Sequence, residues 1–232
     1  MTNLLLYTIM AYLIGSFPTG TIVAHFKGVS LFNPGERTTM RAGEVFKVLG
    51  NKAAMLVTLV DALKGTFVVS LLLTWLIKDP NPAWWVISIG GLLAVVGHCN
   101  SAYLGLRGGR GLATSFGVLF YLMPIPTLLS WVVWGCLSFW GLSTKPGALS
   151  SAGAMPIFSI AWVLYKPEHT YFLYLVAFLS LWIIWEHRDS LIAYFGQAKM
   201  ASAPVPKPTI QTPQEEVPPI HSAQVSTREA PP

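Results

Sequence analysis

The chain has 232 residues, of which 53% are hydrophobic and 11% charged, and its mean hydropathy is +0.55. A soluble domain carries roughly 25% charged residues, so the composition points away from an ordinary water-soluble enzyme and towards an all-α integral membrane protein. The net charge of +5 comes from cations scattered over short loops, whereas nucleic-acid binding needs them gathered on one polar face, and no nucleic-acid partner is expected.

A membrane-crossing helix needs roughly 20 apolar residues, with about 17 tolerated. Candidate segments in chain order are 3–25, 54–77, 83–99, 111–124, 125–142, 149–165 and 169–186. The first opens LLLYTIMAYLIG, with no lysine or arginine before it and no clear small-residue cleavage pattern after it. It is therefore expected to be a retained transmembrane helix and not a signal peptide. The loop that follows, KGVSLFNPGERTTMRAGEVFKVLGNK at 27–52, is too long and too polar for a minimal connector. A re-entrant or interfacial lid is expected there.

In the second segment Asp61 and Lys64 stand at i and i+3, share one helix face and neutralise each other in a low dielectric. A structural ion pair is the expectation. The third segment ends at His98, and between it and the fourth lies GLRGGRGLATS at 105–115. Glycines let backbone N–H groups turn towards an anion, and arginine forks match phosphate oxygens. On its own the stretch equally fits a basic turn that only orients the chain. The fourth segment is short, and PIP at 124–126 leaves a broken helix or a tight helical hairpin open for the fourth and fifth. The seventh ends at His187, followed by Arg188, Asp189 and Ser190, a setting that suits a ligand or proton-transfer role as well as a plain interfacial histidine.

Nine tryptophans and eight tyrosines, several near segment ends, suit the aromatic belts of a bilayer. Cys99 and Cys136 form no metal or redox spacing, and no disulfide is expected between them. From residue 198 to 232 the sequence turns rich in proline and polar residues without a periodic apolar face, so a disordered tail is expected after a membrane domain at 1–197. A proline-binding partner for that tail is the alternative to a plain solvated one.

Seven spans with the N-terminus outside place twelve of the fifteen lysines and arginines on the inner side. Only Lys78 and Lys166 remain outside, with Lys64 inside the second span. That imbalance selects this orientation and a cytoplasmic C-terminus. The polar stretches 27–52, 98–115 and 187–190 then share the cytoplasmic face. A transporter would gather its polar groups near the midplane instead.

Several familiar signatures are absent. GLRGGRGLATS lacks the GxxxxGK[ST] spacing, no GxGxxG follows a strand, and no HExxH or paired-cysteine pattern occurs. No metal and no cofactor are expected. No serine nucleophile elbow is present, so the sequence gives no support to a covalent acyl-enzyme.

Four stretches in order carry a resemblance: AYLIGSFPTGTIVAHFKGV, VFKVLG followed by DALKG, GHCNSAYLGLRGGRGLATS, and the HR pair at 187–188. Over about residues 10–197 the chain resembles the bacterial membrane acyl-phosphate:glycerol-3-phosphate acyltransferase family. The third stretch is similar to the family's GHxxPxFxxFKGGKGVATS. The resemblance implies transfer of a fatty acyl group from acyl phosphate to glycerol 3-phosphate, giving lysophosphatidic acid for phospholipid biosynthesis at the bacterial inner membrane. It implies His187 as catalytic residue, and Arg41, Lys47, Arg107, Gly108, Gly109, Arg110, Gly111, Thr114, Ser115, Arg188 and Ser190 around substrate phosphate. The physical needs fit, because both substrates bear phosphate and the acyl chain is apolar. The donor is already activated, so positioning and charge stabilisation can replace a covalent nucleophile.

This chain departs from the family pattern at several positions. GERTTMRAGE at 35–44 replaces GSGNxGATN, with Glu36 near a serine position, and Lys47 replaces an arginine. Arg107 and Arg110 replace lysines, and Ser190 stands at an asparagine position of HRxNIxRLxxGxE. The basic exchanges keep charge but change geometry, since a planar fork and a compact ammonium are not equivalent. A noncatalytic relative that binds anionic lipid or a membrane partner is the alternative these departures keep open.

Cysteine-accessibility labelling is expected to place positions 110 and 188 on the same, cytoplasmic side. Position 110 outside with 188 inside would reject the topology. Truncation after residue 200 should leave membrane insertion intact, because the removed segment has no apolar face to bury.

Overall fold

A computed structural model describes residues 2–29, 48–76, 84–139, 144–189 and 192. The described residues are almost entirely helical: α1 Thr2–Gly15, α2 Thr19–Phe26, α3 Asn51–Leu76, α4 Trp85–Cys99, α5 Leu112–Leu122, α6 Pro124–Phe139, α7 Thr144–Tyr165 and α8 Leu173–Glu186. Short 3-10 turns at Ala102–Leu104 and Pro167–Phe172 precede α5 and α8. Three stretches are long and apolar enough to cross a membrane, Leu4–Phe26, Asn51–Leu76 and Pro167–Glu186, and four shorter apolar helices accompany them. These correspond to the seven segments read from the sequence. The polar loop expected at 27–52 and the tail expected from 198 lie for the most part outside the described residues.

The first span differs from the continuous helix expected. It is broken at Ser16–Pro18 into α1 and α2. Pro18 has no N–H and biases Phe17 away from helical backbone, so the chain turns there and leaves main-chain carbonyls for other partners. Three hydrogen bonds tie this break and the turn before it to the rest of the bundle. Lys64 Nζ donates to the Phe17 carbonyl at 3.2 Å, Ser101 Oγ to the Ser16 carbonyl at 2.5 Å, and Tyr12 Oη to the Asn100 carbonyl at 2.8 Å.

The fourth and fifth segments form the tight hairpin and not a bent single helix. Met123 alone separates α5 from α6, with Pro124 at the first helical position, where a missing N–H costs nothing. The helices fold back so that the Phe116 and Trp131 rings lie 4.2 Å apart between centroids.

The most extensive helix pairings are α3 with α5, α6 with α7, and α1 with α4. Two of them depend on glycine. A Cβ on Gly117 would run into the Ala62 carbonyl, and one on Gly65 into the Thr114 carbonyl, so α3 and α5 approach through bare backbone. Close approach through small residues is how helices associate in a bilayer, where lipid is as apolar as leucine. Thr66 Oγ1 adds a hydrogen bond to the Gly117 carbonyl at 2.9 Å. Gly15 and Gly97 serve the same purpose between α1 and α4.

The core is built from Val68, Val69, Ile87, Val95, Val118 and Leu179, among others. Outside it, Leu59, Leu63, Phe67, Val132, Ile160 and Leu181 are exposed. So many large apolar side chains facing outward suit a lipid-contacting surface. The chain is a multi-pass membrane protein.

Gly117→Val should lower the thermal midpoint in detergent, because overpacking a close contact costs about 1–3 kcal/mol. Gly153→Ala, where an added Cβ meets nothing within 4 Å, should be neutral or slightly stabilising. Equal behaviour of the two variants would contradict glycine-dependent packing of α3 on α5.

Candidate active site

The last residues of α4 and the turn after it form the floor of the site. Asn100 leaves helical backbone and Ser101 pairs with Arg107 as an isolated antiparallel bridge. Ser101 N donates to the Arg107 carbonyl at 3.2 Å and Leu106 N to the Ser101 carbonyl at 2.9 Å. Closing so small a loop needs left-handed backbone: Gly105 has φ 61° and Leu106 has φ 62°. The leucine carries a strain of roughly 1–2 kcal/mol there.

Gly109 N donates to the His98 carbonyl at 3.0 Å. Side chains at Gly108 and Gly109 would collide with the His98 carbonyl and the His98 ring respectively. The glycines expected to serve an anion therefore also let the turn lie flat on His98. Gly111 caps α5 with φ 81°.

Lys64 holds His98 from below. Its ammonium lies 2.8 Å from Asp61 Oδ1, 2.8 Å from His98 Nδ1 and 3.2 Å from the Phe17 carbonyl. An ammonium has three N–H donors and here it has three acceptors. Because Nδ1 accepts from Lys64, the neutral His98 ring carries its proton on Nε2, the atom facing Gly109. Asp61 Oδ1 lies 3.6 Å from His98 Nδ1. The Asp61–Lys64 pair is thus not self-contained, as its spacing suggested, but ties α3 to the α1–α2 break and to the arginine turn.

A small polar cleft opens at this junction, lined in part by Ser16, Thr19, Asp61, His98, Ser101, Gly108 and Gly109. A second, more apolar groove lies between α5, α6, α7 and α8, with Leu112, Ser115, Phe116, Leu119, Met155 and Ile183 among its walls. The continuous segment 108–115 contributes to both.

The residues singled out from the sequence fall as follows. Arg107 is exposed and Arg110 half-buried, on either side of the two glycines. Thr114 and Ser115 are buried in the first turn of α5, and neither hydroxyl has a hydrogen-bond partner among the described residues. His187 is buried just past α8, and its Nδ1 lies 2.8 Å from the Ile183 carbonyl. A carbonyl only accepts, so the proton sits on Nδ1 and Nε2 is the basic nitrogen of the neutral ring, opposite to His98.

Trp182 Nε1 donates to Cys99 Sγ at 3.4 Å, tying the end of α8 to the helix end that carries His98. Arg188 is exposed and folds back, donating to the Trp185 carbonyl at 3.0 Å with its guanidinium 4.7 Å above the Trp185 ring. Arg41, Lys47 and Ser190 lie outside the described residues.

Sequence reasoning missed Ser16, Thr19 and the extended role of Lys64. A proline inside an otherwise unbroken apolar run was the available signal for the first two.

A family model described as glycerol-3-phosphate acyltransferase matches residues 5–196. The glycerol-3-phosphate acyltransferase of Aquifex aeolicus is 32% identical over 187 residues, covering 81% of this chain and 93% of that protein. That of Thermus thermophilus is 33% identical over 191 residues, covering 82% and 91%. Among solved structures, PlsY (YgiH), an integral membrane glycerol 3-phosphate acyltransferase, is similar in its glycerol 3-phosphate form with a TM-score of 0.72 at 28% identity, covering 84% of this chain and 93% of that one. Its lysophosphatidic acid form gives a TM-score of 0.71 at 26% identity over the same shares of the two chains.

Lys64→Met should be strongly destabilising, by about 3–5 kcal/mol, because it leaves the Asp61 carboxylate buried without its ion-pair partner. Adding Asp61→Asn should recover part of the loss. A thermal midpoint for Lys64→Met equal to wild type in detergent would contradict the network.

Proposed function

The chain belongs to the glycerol-3-phosphate acyltransferase family, and on that premise we propose that it transfers a fatty acyl group from an acyl phosphate to the 1-hydroxyl of glycerol 3-phosphate. The observation that carries this reading is the segment 108–115, which lines a polar cleft at its glycines and an apolar groove along the first turn of α5. An amphiphilic acyl phosphate needs that juxtaposition, with its chain in the groove and its phosphate on the turn.

The acceptor hydroxyl oxygen attacks the acyl carbonyl carbon, the bond from that carbon to the bridging phosphate oxygen breaks, and phosphate leaves with the electron pair. His187 Nε2 takes the hydroxyl proton. Arg107 and Arg110 neutralise phosphate, and Thr114 and Ser115 offer hydroxyls that have no partner within the described residues. Arg41, Lys47, Arg188 and Ser190 complete the phosphate contacts in this proposal.

Residues 1–197 form the catalytic membrane domain, and 198–232 a solvated cytoplasmic tail. The location is the bacterial inner membrane, with the N-terminus outside. Phosphate-bearing substrates then meet the turn from the cytoplasm.

Purified protein given acyl phosphate and glycerol 3-phosphate should yield lysophosphatidic acid and phosphate, and acyl-CoA and acyl-carrier protein should not substitute. Transfer from a thioester alone would overturn the donor assignment. Arg110→Ala should weaken glycerol 3-phosphate or acyl-phosphate-analogue binding by about 1.5–3 kcal/mol, the worth of a charge-assisted hydrogen bond. Lys145→Ala, which removes one positive charge at the start of α7, should not. Equal affinities in the two folded variants would leave the turn a topology signal only.

A further inference from the structure

We propose that Tyr103 and Leu106, on the turn between α4 and α5, are an interfacial anchor that seats the arginine turn where lipid headgroups meet acyl chains; the purpose given to it below rests on the acyl-phosphate reading. Both side chains are exposed, at 58% and 66%. Among the described residues Leu106 is also the one non-glycine with positive φ, at 62°. A glycine would close the same loop without the steric cost that a leucine meets in left-handed backbone. A large apolar side chain held outward on strained backbone is explained by what it contacts, not by the loop it closes.

Depth, continuity and chemistry identify the partner as lipid. The helix before the turn, α4, has 15 residues from Trp85 to Cys99 and is therefore about 22 Å long, whereas a hydrocarbon core is about 30 Å thick. Trp84 and Trp85 suit a bilayer interface at the far end of α4, so the turn after Cys99 stops short of the opposite boundary and does not stand clear in bulk water. Leu5, Ile9 and Leu13 recur at helical spacing on one face of α1, Phe17 follows at the break, and all four are exposed. Ser101 Oγ fastens the turn to that break through the Ser16 carbonyl, and Phe17 and Leu104 line the same opening. The lipid-facing stripe of α1 thus leads onto the turn. A tyrosine, with an apolar ring and a polar tip, suits the interface. Arg107, beside Leu106, is exposed and brings a guanidinium to the level of headgroup phosphates. Seated there, the turn meets a membrane-borne acyl phosphate at the depth of its phosphate.

The test places an environment-sensitive thiol label on the turn. Leu106→Cys and, separately, Tyr103→Cys are combined with Cys136→Ser, Cys99 being buried, then labelled and reconstituted into phosphatidylcholine vesicles. Both labels should lose fluorescence to phosphatidylcholine brominated in its acyl chains near the carbonyl, and should be little changed by aqueous iodide. The unaltered chain labelled at Cys136, exposed on α6, is the lipid-facing control. Quenching by iodide and not by bromolipid would put the turn in water and overturn the anchor. Protection from both would put protein over it, a further segment of this chain or a second copy, and would overturn it equally. Leu106→Gly, which removes the backbone strain together with the side chain, should lower kcat/KM for a long-chain acyl phosphate in vesicles by about tenfold, the scale of withdrawing a leucine from an apolar contact. Leu106→Phe should keep the wild-type value. Equal values for Leu106→Gly and wild type would overturn the anchoring role. The labels report depth without any reaction, so failure of acyl transfer in wild type overturns the functional reading and not the seat in lipid.

Discussion

Lys64 carries three N–H donors on a helix that crosses the membrane, where no bulk water is at hand to accept them. Where those donors go determines the geometry of the site. One reaches Asp61 on the same helix, one the Phe17 carbonyl exposed by the proline break, and one His98 at the end of α4. A buried ammonium with fewer acceptors would be expensive in the bilayer. The break in the first span and the orientation of His98 are therefore coupled to one charge, and the arginine turn rests on the ring that this charge orients.

Small residues let the rest of the bundle serve that arrangement. Gly65 and Gly117 bring α3 against α5, which begins at the turn, and Gly15 and Gly97 bring α1 against α4. Both pairs bear on the same end of the bundle. Gly108 and Gly109 then close the turn over His98. A polar cleft and an apolar groove result on either side of one short segment. The two histidines end in opposite tautomers, His98 with its proton on Nε2 and His187 with its proton on Nδ1, because one faces a donor and the other a carbonyl. Of these two, His187 is the one whose basic nitrogen in the neutral ring is Nε2.

Much of this was legible in the sequence, and the reasons for what was not are physical. Apolar run length is enough to find seven spans, and proline at 124–126 marks the α5–α6 hairpin. The same signal at Pro18 was hidden, because the hydropathy of Leu4–Phe26 stays high across it and run length alone does not record a backbone break. Arginines among glycines in GLRGGRGLATS pointed to a tight cationic turn, and such a turn is present. Its left-handed Leu106 could not be anticipated, since leucine has no preference for that conformation. Asp61 and Lys64 at i and i+3 satisfy each other locally, so nothing in their spacing announces partners 34 and 47 residues away. Arg188 directly follows His187, yet it stacks on Trp185, an outcome decided by side-chain packing and not by order along the chain.

In the proposed reaction residues 108–115 hold the phosphate end of an amphiphile while α5 to α8 hold its chain. A structure of the protein with lysophosphatidic acid bound tests it most directly. The acyl chain is expected between Leu112, Phe116, Leu119 and Met155, with the phosphate within hydrogen-bonding distance of Arg107 or Arg110. An acyl chain outside that groove, or a phosphate held away from the turn, would contradict it.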